Sequence, residues 1–289
     1  MNLKNHVLIV ICFFIFTLNF SAQIKAPEGK KWTIIKHLSD EFDGKKLNKS
    51  KWIADPEGHP DFGWIGRPPA LFKESAITLH KGHLEIEVGT LDKPFTSNKY
   101  KTPAVYKYYG GIIRASKSIS YGHYFEAKFK MNKTEMGGGF WLMSKNICDY
   151  KHEIDITESV GSISPLAEDW GKKWNKIMHS NTIHRKTACN EAKRSQSVMY
   201  PMVKNSEKFY TYGCWWKSPT ELLFYLDGKH VYTINPPVDF DQELFLHFSI
   251  EKYDWNAIPK DGGKVASASK EDRTTYIDYI RTYKLEDKN

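Results

Sequence analysis

Glu221-Leu222-Leu223-Phe224-Tyr225-Leu226, then Asp227-Gly228, then His230-Val231-Tyr232-Thr233-Ile234 is the stretch that decides the fold. Its first run alternates sides with a period of two, as do His83-Leu84-Glu85-Ile86-Glu87-Val88 and the run from Tyr124 to Met131. That period marks half-buried strands. Asp227-Gly228 between two such runs is a tight-hairpin signal. Lys81-Gly82 and Gly110-Gly111 punctuate the chain in the same way. No long segment has helical periodicity, and at most residues 165–172 form a short helix or turn. Strands at this density predict an all-β chain: a jelly-roll sandwich of two antiparallel sheets with a concave substrate cleft.

Outside the strands, residues 1–22 carry one lysine, Lys4, an apolar run from Val7 to Phe20, and small residues Ser21 and Ala22 at the end. This is the pattern of a secretory signal peptide, too short to span a bilayer comfortably, and no later stretch has the apolar length of a membrane span. The expected mature protein is secreted, extracellular or periplasmic, with residues 23–289 forming a single catalytic domain. No linker, charge block or repeat divides it. Of the four cysteines, Cys12 lies in the leader, leaving Cys148, Cys189 and Cys214. Three allow at most one internal bridge, and Cys148 to Cys189 is a possible pairing. The net charge of +8 includes Lys4, so processing leaves +7. The basic residues are scattered with no run of five, which argues against a nucleic-acid arm. They read either as a solvated basic surface or as an attraction to a sulfated or uronic glycan.

The chemistry concentrates in Lys151-His152-Glu153-Ile154-Asp155-Ile156-Thr157-Glu158-Ser159-Val160. In a regular strand Glu153 and Asp155 share one face and the isoleucines fill the other. Glu158, three positions past Asp155, would then enter the core, where an unpaired carboxylate is costly. One extra residue at Ile156-Thr157, a β-bulge, returns it to the face of the other two. Three crowded acids cannot all ionise at their free pKa values. Retaining glycosidases use such crowding, with one carboxylate as nucleophile and another, kept protonated, as acid and then base. A solvated acidic edge or a metal site is the bland alternative, and the interleaved isoleucines and the preceding Phe140-Trp141-Leu142-Met143 speak against an exposed edge. Aromatic residues, 14% of the chain with nine tryptophans, suit stacking on sugar rings, although most must pack the core.

The pattern Glu-Ile-Asp-x-x-Glu resembles the bulged active-site signature of glycoside hydrolase family 16. Asp40-Glu41-Phe42, Gly139-Phe140-Trp141-Leu142-Met143, Tyr212-Gly213-Cys214-Trp215-Trp216 and Tyr276-Ile277-Asp278-Tyr279-Ile280-Arg281 extend the likeness over nearly the whole mature chain. The resemblance implies that Glu153 is the nucleophile, Asp155 its helper and Glu158 the acid/base in retaining endo-hydrolysis of a β-1,4 linkage in a galactan. It implies that Trp64-Ile65-Gly66-Arg67 enters the cleft and that the segment from Glu251 to Asn256 lines it. Arg67 offers a fork suited to sulfate or clustered hydroxyls, and Trp64 a stacking face. His179 and His184 read as sugar hydrogen-bonding residues rather than zinc ligands, because no further ligand lies at metal spacing. Trp141 and Trp216 look like cleft aromatics or core packing. Relatives of this family imply a structural calcium with Asp278 among its ligands; no cofactor is expected for catalysis.

Among substrates, a sulfated galactan fits the positive charge, and the run from Glu153 to Gly161 looks most like that of β-porphyranases. A β-agarase acting on agarose is the alternative. A non-catalytic glycan-binding lectin of the same fold is the alternative of another class, and binding alone has no need for three mutually repelling acids. The chain is expected to act as a monomer, with a polysaccharide as its partner and neither nucleic acid nor membrane.

Overall fold

The computed structural model describes residues 24–99 and 102–288, so the expected leader over residues 1–22 lies outside the described residues. Asp227 and Gly228 both adopt positive φ, 48° and 74°, as a tight two-residue β-turn requires. They join the strands Glu221–Leu226 and Lys229–Ile234, with Leu226 opposite Lys229. Leu222, Phe224 and Leu226 face the main core, while Leu223 and Tyr225 pack into a smaller cluster on the other side. Lys81 and Gly82 turn in the same way, with φ of 50° and 74°.

Gly110 and Gly111 do not turn. They lie inside the 16-residue strand Ala104–Ile119. A Cβ on Gly110 would collide with the Ile250 carbonyl, and one on Gly111 would collide with the Ile77 side chain, so these glycines admit close neighbours instead of a reversal.

Two sheets result. One has eight strands; along its path Lys229–Ile234, Glu221–Leu226, Tyr210–Ser218, His123–Lys130, Thr274–Asp287, His83–Glu87 and Ile77–His80 follow one another. Lys30–Ile34 joins it by pairing antiparallel with the last part of Thr274–Asp287, Lys30 standing opposite Asp287. The other has nine strands, with the central order Lys193–Met199, Met178–His184, His152–Val160, Gly137–Ser144, Leu244–Glu251, Ala104–Ile119 and Trp52–Ile53. One hydrophobic cluster fills the space between them, with Phe125, Phe129 and Ile280 from the first sheet and Phe140, Ile154, Ile156 and Phe248 from the second. The predicted sandwich is present. Among the described residues, helix is confined to three short 3-10 turns, including Asp169–Gly171 within the stretch where a helix or turn was expected, and to Gly263–Ser267.

Trp216 is fully buried and belongs to this core. Cys148 and Cys189 form a disulfide, and Cys214 is a buried free thiol. No helix among the described residues is long and apolar enough to cross a membrane.

Candidate active site

The strand His152–Val160 lies between Gly137–Ser144 and Met178–His184 near the middle of the nine-stranded sheet. Ile154 and Ile156 are fully buried in the core, which turns Glu153 and Asp155 to the opposite face. The register then slips. Asp155 pairs with Trp141, but Thr157 pairs with the next residue back, Phe140, leaving Ile156 as the extra residue of a bulge. Glu158 emerges opposite Gly139 and His179, on the cleft side. The bulge occupies the predicted position, and all three carboxylates line one cavity of about 330 Å³.

Gly138 and Gly139 make room for it. Gly138 has a φ of 151°, and a Cβ there would strike the Ser249 carbonyl, while one on Gly139 would strike the carbonyl of the bulged Thr157. The floor of the cleft beside Glu158 is therefore bare backbone.

Each acid has its own surroundings. Glu153 is gripped by Arg185, whose Nε donates to Oε2 and whose Nη2 donates to Oε1 at 2.6 Å. Asp155 is fully shielded, and burial first, then the charges of Glu153 and Glu158, push its pKa well above the usual carboxylate range. It therefore keeps a proton where a free aspartate has lost one, in hydrogen-bond contact with Glu153. Glu158 accepts a hydrogen bond from the Tyr253 hydroxyl at 2.9 Å and lies 3.1 Å from His179 Nδ1. It is the most exposed of the three, with a side chain 22% accessible against 7% for Glu153.

The sequence-predicted binding residues divide. Trp64, Arg67, Trp141 and Glu251 line the same cavity as the acids. Arg67 Nε donates to Glu251 Oε2 at 3.1 Å, its Nη1 lies 3.8 Å from Asp254, and its guanidinium sits over the Tyr253 ring. Trp141 stacks on His247 at 4.2 Å and donates its indole N–H to Ser249, with Trp64 edge-on to it. Burial raises the Glu251 pKa to about 7, against the opposing pull of Arg67. His179 borders the adjoining hollow beyond Glu158.

His184 is not in the cleft. It pairs with His152, whose face is opposite to that of Glu153, and its Nδ1 is 3.1 Å from His152 Nε2. Five positions separate it from His179, an odd number, so a regular strand sends the two side chains to opposite faces. Asp278, the expected calcium ligand, lies on Thr274–Asp287 in the sheet that does not carry the acids. Its carboxylate pairs with Lys128 at 2.7 Å, and among the described residues no group of three or more His, Cys, Asp or Glu side chains could hold a metal.

Sequence reasoning missed Arg185 and the aromatic wall of Trp170, Trp174 and Trp255. Arg185 follows Asn181 and Ile183 at two-residue steps, a parity that would have placed it beside Glu153. The tryptophans come from two loops that only the fold brings together, with Trp174 4.6 Å from His179 and 4.9 Å from Trp255.

Comparison with known proteins bears on what this cleft does. The family model for the GH16 domain of β-porphyranases A–D matches residues 32–285. The chain belongs to that family. It is a glycoside hydrolase of family 16. It is 39% identical to β-porphyranase B of Zobellia galactanivorans, over 99% of both chains. To β-porphyranase B of Phocaeicola plebeius it is 35% identical, over 90% of this chain and 87% of that one. The crystal structure of the Zobellia porphyranase B superposes with a TM-score of 0.84 at 38% identity, covering 93% of this chain and all of that one. β-Agarase A of Zobellia galactanivorans, at 22% identity and a TM-score of 0.73, shares the fold.

Proposed function

We propose that this hydrolase is a secreted β-porphyranase, a retaining endo-enzyme that cleaves β-1,4 linkages in a sulfated red-algal galactan as a single-domain monomer. The observation that carries the reading is the bulge, which sets Glu153, Asp155 and Glu158 on one wall of a cleft that also holds Trp64 and Arg67. Similarity to two porphyranases B along most of the chain favours porphyran over agarose.

In this reading Glu153 attacks the anomeric carbon while Glu158 gives its proton to the departing glycosidic oxygen, leaving a glycosyl-enzyme ester. Glu158 then takes a proton from water, which displaces Glu153 and restores both groups. Asp155, neutral, donates its hydrogen bond to Glu153 and steadies the charge that the nucleophile loses and regains. Tyr253 and His179 hold Glu158 in line. Trp64 and Trp141 offer apolar faces to sugar rings, and Arg67 offers a cation to a sulfate.

Purified protein incubated with porphyran, agarose and κ-carrageenan, with reducing ends measured, tests the substrate. Release from porphyran is expected. Release from agarose alone would replace the porphyranase reading with that of an agarase, and binding without release from any would favour a lectin.

A further inference from the structure

Two cations on the wall of the catalytic cavity have no part in the hydrolytic cycle above: Lys151 and Arg185. They are neighbours across the start of the acidic strand, where the Arg185 amide donates to the Lys151 carbonyl at 2.8 Å, one step beyond the His152–His184 pair. Arg185 spends its fork on Glu153, yet its side chain is 44% accessible, so an incoming ligand can reach it. Lys151 is half-buried and forms no ion pair within 4 Å among the described residues. Burial, and next the proximity of Arg185, lower its pKa. A half-buried ammonium beside a guanidinium, with a single carboxylate between the two charges, is a site with positive charge to spare.

The grip of Arg185 also bears on the chemistry. A carboxylate that accepts from a guanidinium through both oxygens has part of its charge drawn into that fork, and it is a poorer nucleophile for it. A sulfate ester, tetrahedral at sulfur, can offer two of its three terminal oxygens to a guanidinium and so competes for the same fork.

We propose that Lys151 and Arg185 form a binding subsite for a sulfate ester of the glycan, and that filling it draws Arg185 off Glu153 and so frees the nucleophile. Sulfate on the substrate then acts as an activator as well as an anchor. The subsite is separate from Arg67, which comes from a different loop and is held by Glu251 and Asp254. This inference rests on the galactan reading of the cleft.

The test compares wild-type enzyme with Lys151→Met and Arg185→Gln on porphyran and on the same polymer stripped of its sulfate esters, with folding followed by thermal unfolding. In both variants the ratio of kcat/KM on sulfated over desulfated polymer should fall about tenfold or more, the equivalent of about 1.4 kcal/mol. In Arg185→Gln the kcat on desulfated polymer should also rise above that of wild type, an outcome that a merely structural role would not produce. If Arg185→Gln does not fold, the ratio in Lys151→Met decides. Folded variants that lose both substrates in equal proportion would overturn the subsite. Wild-type enzyme inactive on both polymers would instead overturn the galactan reading, and the subsite with it.

Discussion

Asp155 shows how position assigns a proton. Three carboxylates share one small cavity, and the one deepest in it, hemmed in by the other two, keeps its proton. The roles of its neighbours then separate by contact: Glu153 under a guanidinium, Glu158 under a phenol and an imidazole. Glu153→Gln should cut turnover by at least about a thousandfold while oligosaccharide binding, read by calorimetry, persists. Glu251 gives a stability prediction. Its carboxyl is raised in the fold to about 7 from an ordinary 4.5, so the native state binds the proton more tightly than the unfolded chain does. Its contribution is fully present below about pH 4.5 and is lost as pH rises towards 7. Between those limits the Tm of wild type should decline with pH more steeply than that of Glu251→Gln; parallel profiles would refute the assignment. The trio was legible in the sequence because acids alternating with isoleucines fix a face. His184 was misplaced because two histidines near one another suggest a pair, whereas strand parity separates them.

The bulge is the element on which the site depends, and a count of positions was enough to predict it. Deleting Ile156 should restore regular pairing and still leave Glu158 on the cleft face, now two positions beyond Asp155, so a folded variant should keep measurable hydrolysis; complete loss in a variant whose circular dichroism still reports β-sheet would show that the bulge itself sets the geometry of the acids. Gly139→Ala should destabilise the protein by about 1–3 kcal/mol in urea unfolding, because the bulged carbonyl occupies the space of the new methyl. Hairpins were legible wherever a turn pair had a partner strand on each side, as at Asp227-Gly228 and Lys81-Gly82. Gly110-Gly111 was not, because a glycine pair reads alike whether the chain reverses or another strand crowds it. The tryptophans of the aromatic wall were hidden for a related reason: their loops have no period, and only the closed sandwich juxtaposes them.

At the scale of the molecule, the Cys148–Cys189 bridge ties together the chain just before the acidic strand and the chain just after its neighbour. It closes a sequence separation of 41 residues, and loop entropy puts its worth at about 4 kcal/mol. A Cys148→Ser, Cys189→Ser double variant should unfold at clearly lower urea, and an unchanged midpoint would show that the loops are held by other contacts. The sandwich itself was legible from strands such as His83–Glu87 and Glu221–Leu226, where one face is buried and the residues alternate. The strand Lys30–Ile34 pairs with Thr274–Asp287 in the sheet that does not carry the acids. Both ends of the described chain thus leave from beside one another, away from the cleft. A resin, a cell envelope or a fused module tethered to either end would hold the enzyme from behind and leave its groove open to a polymer too long to diffuse around it.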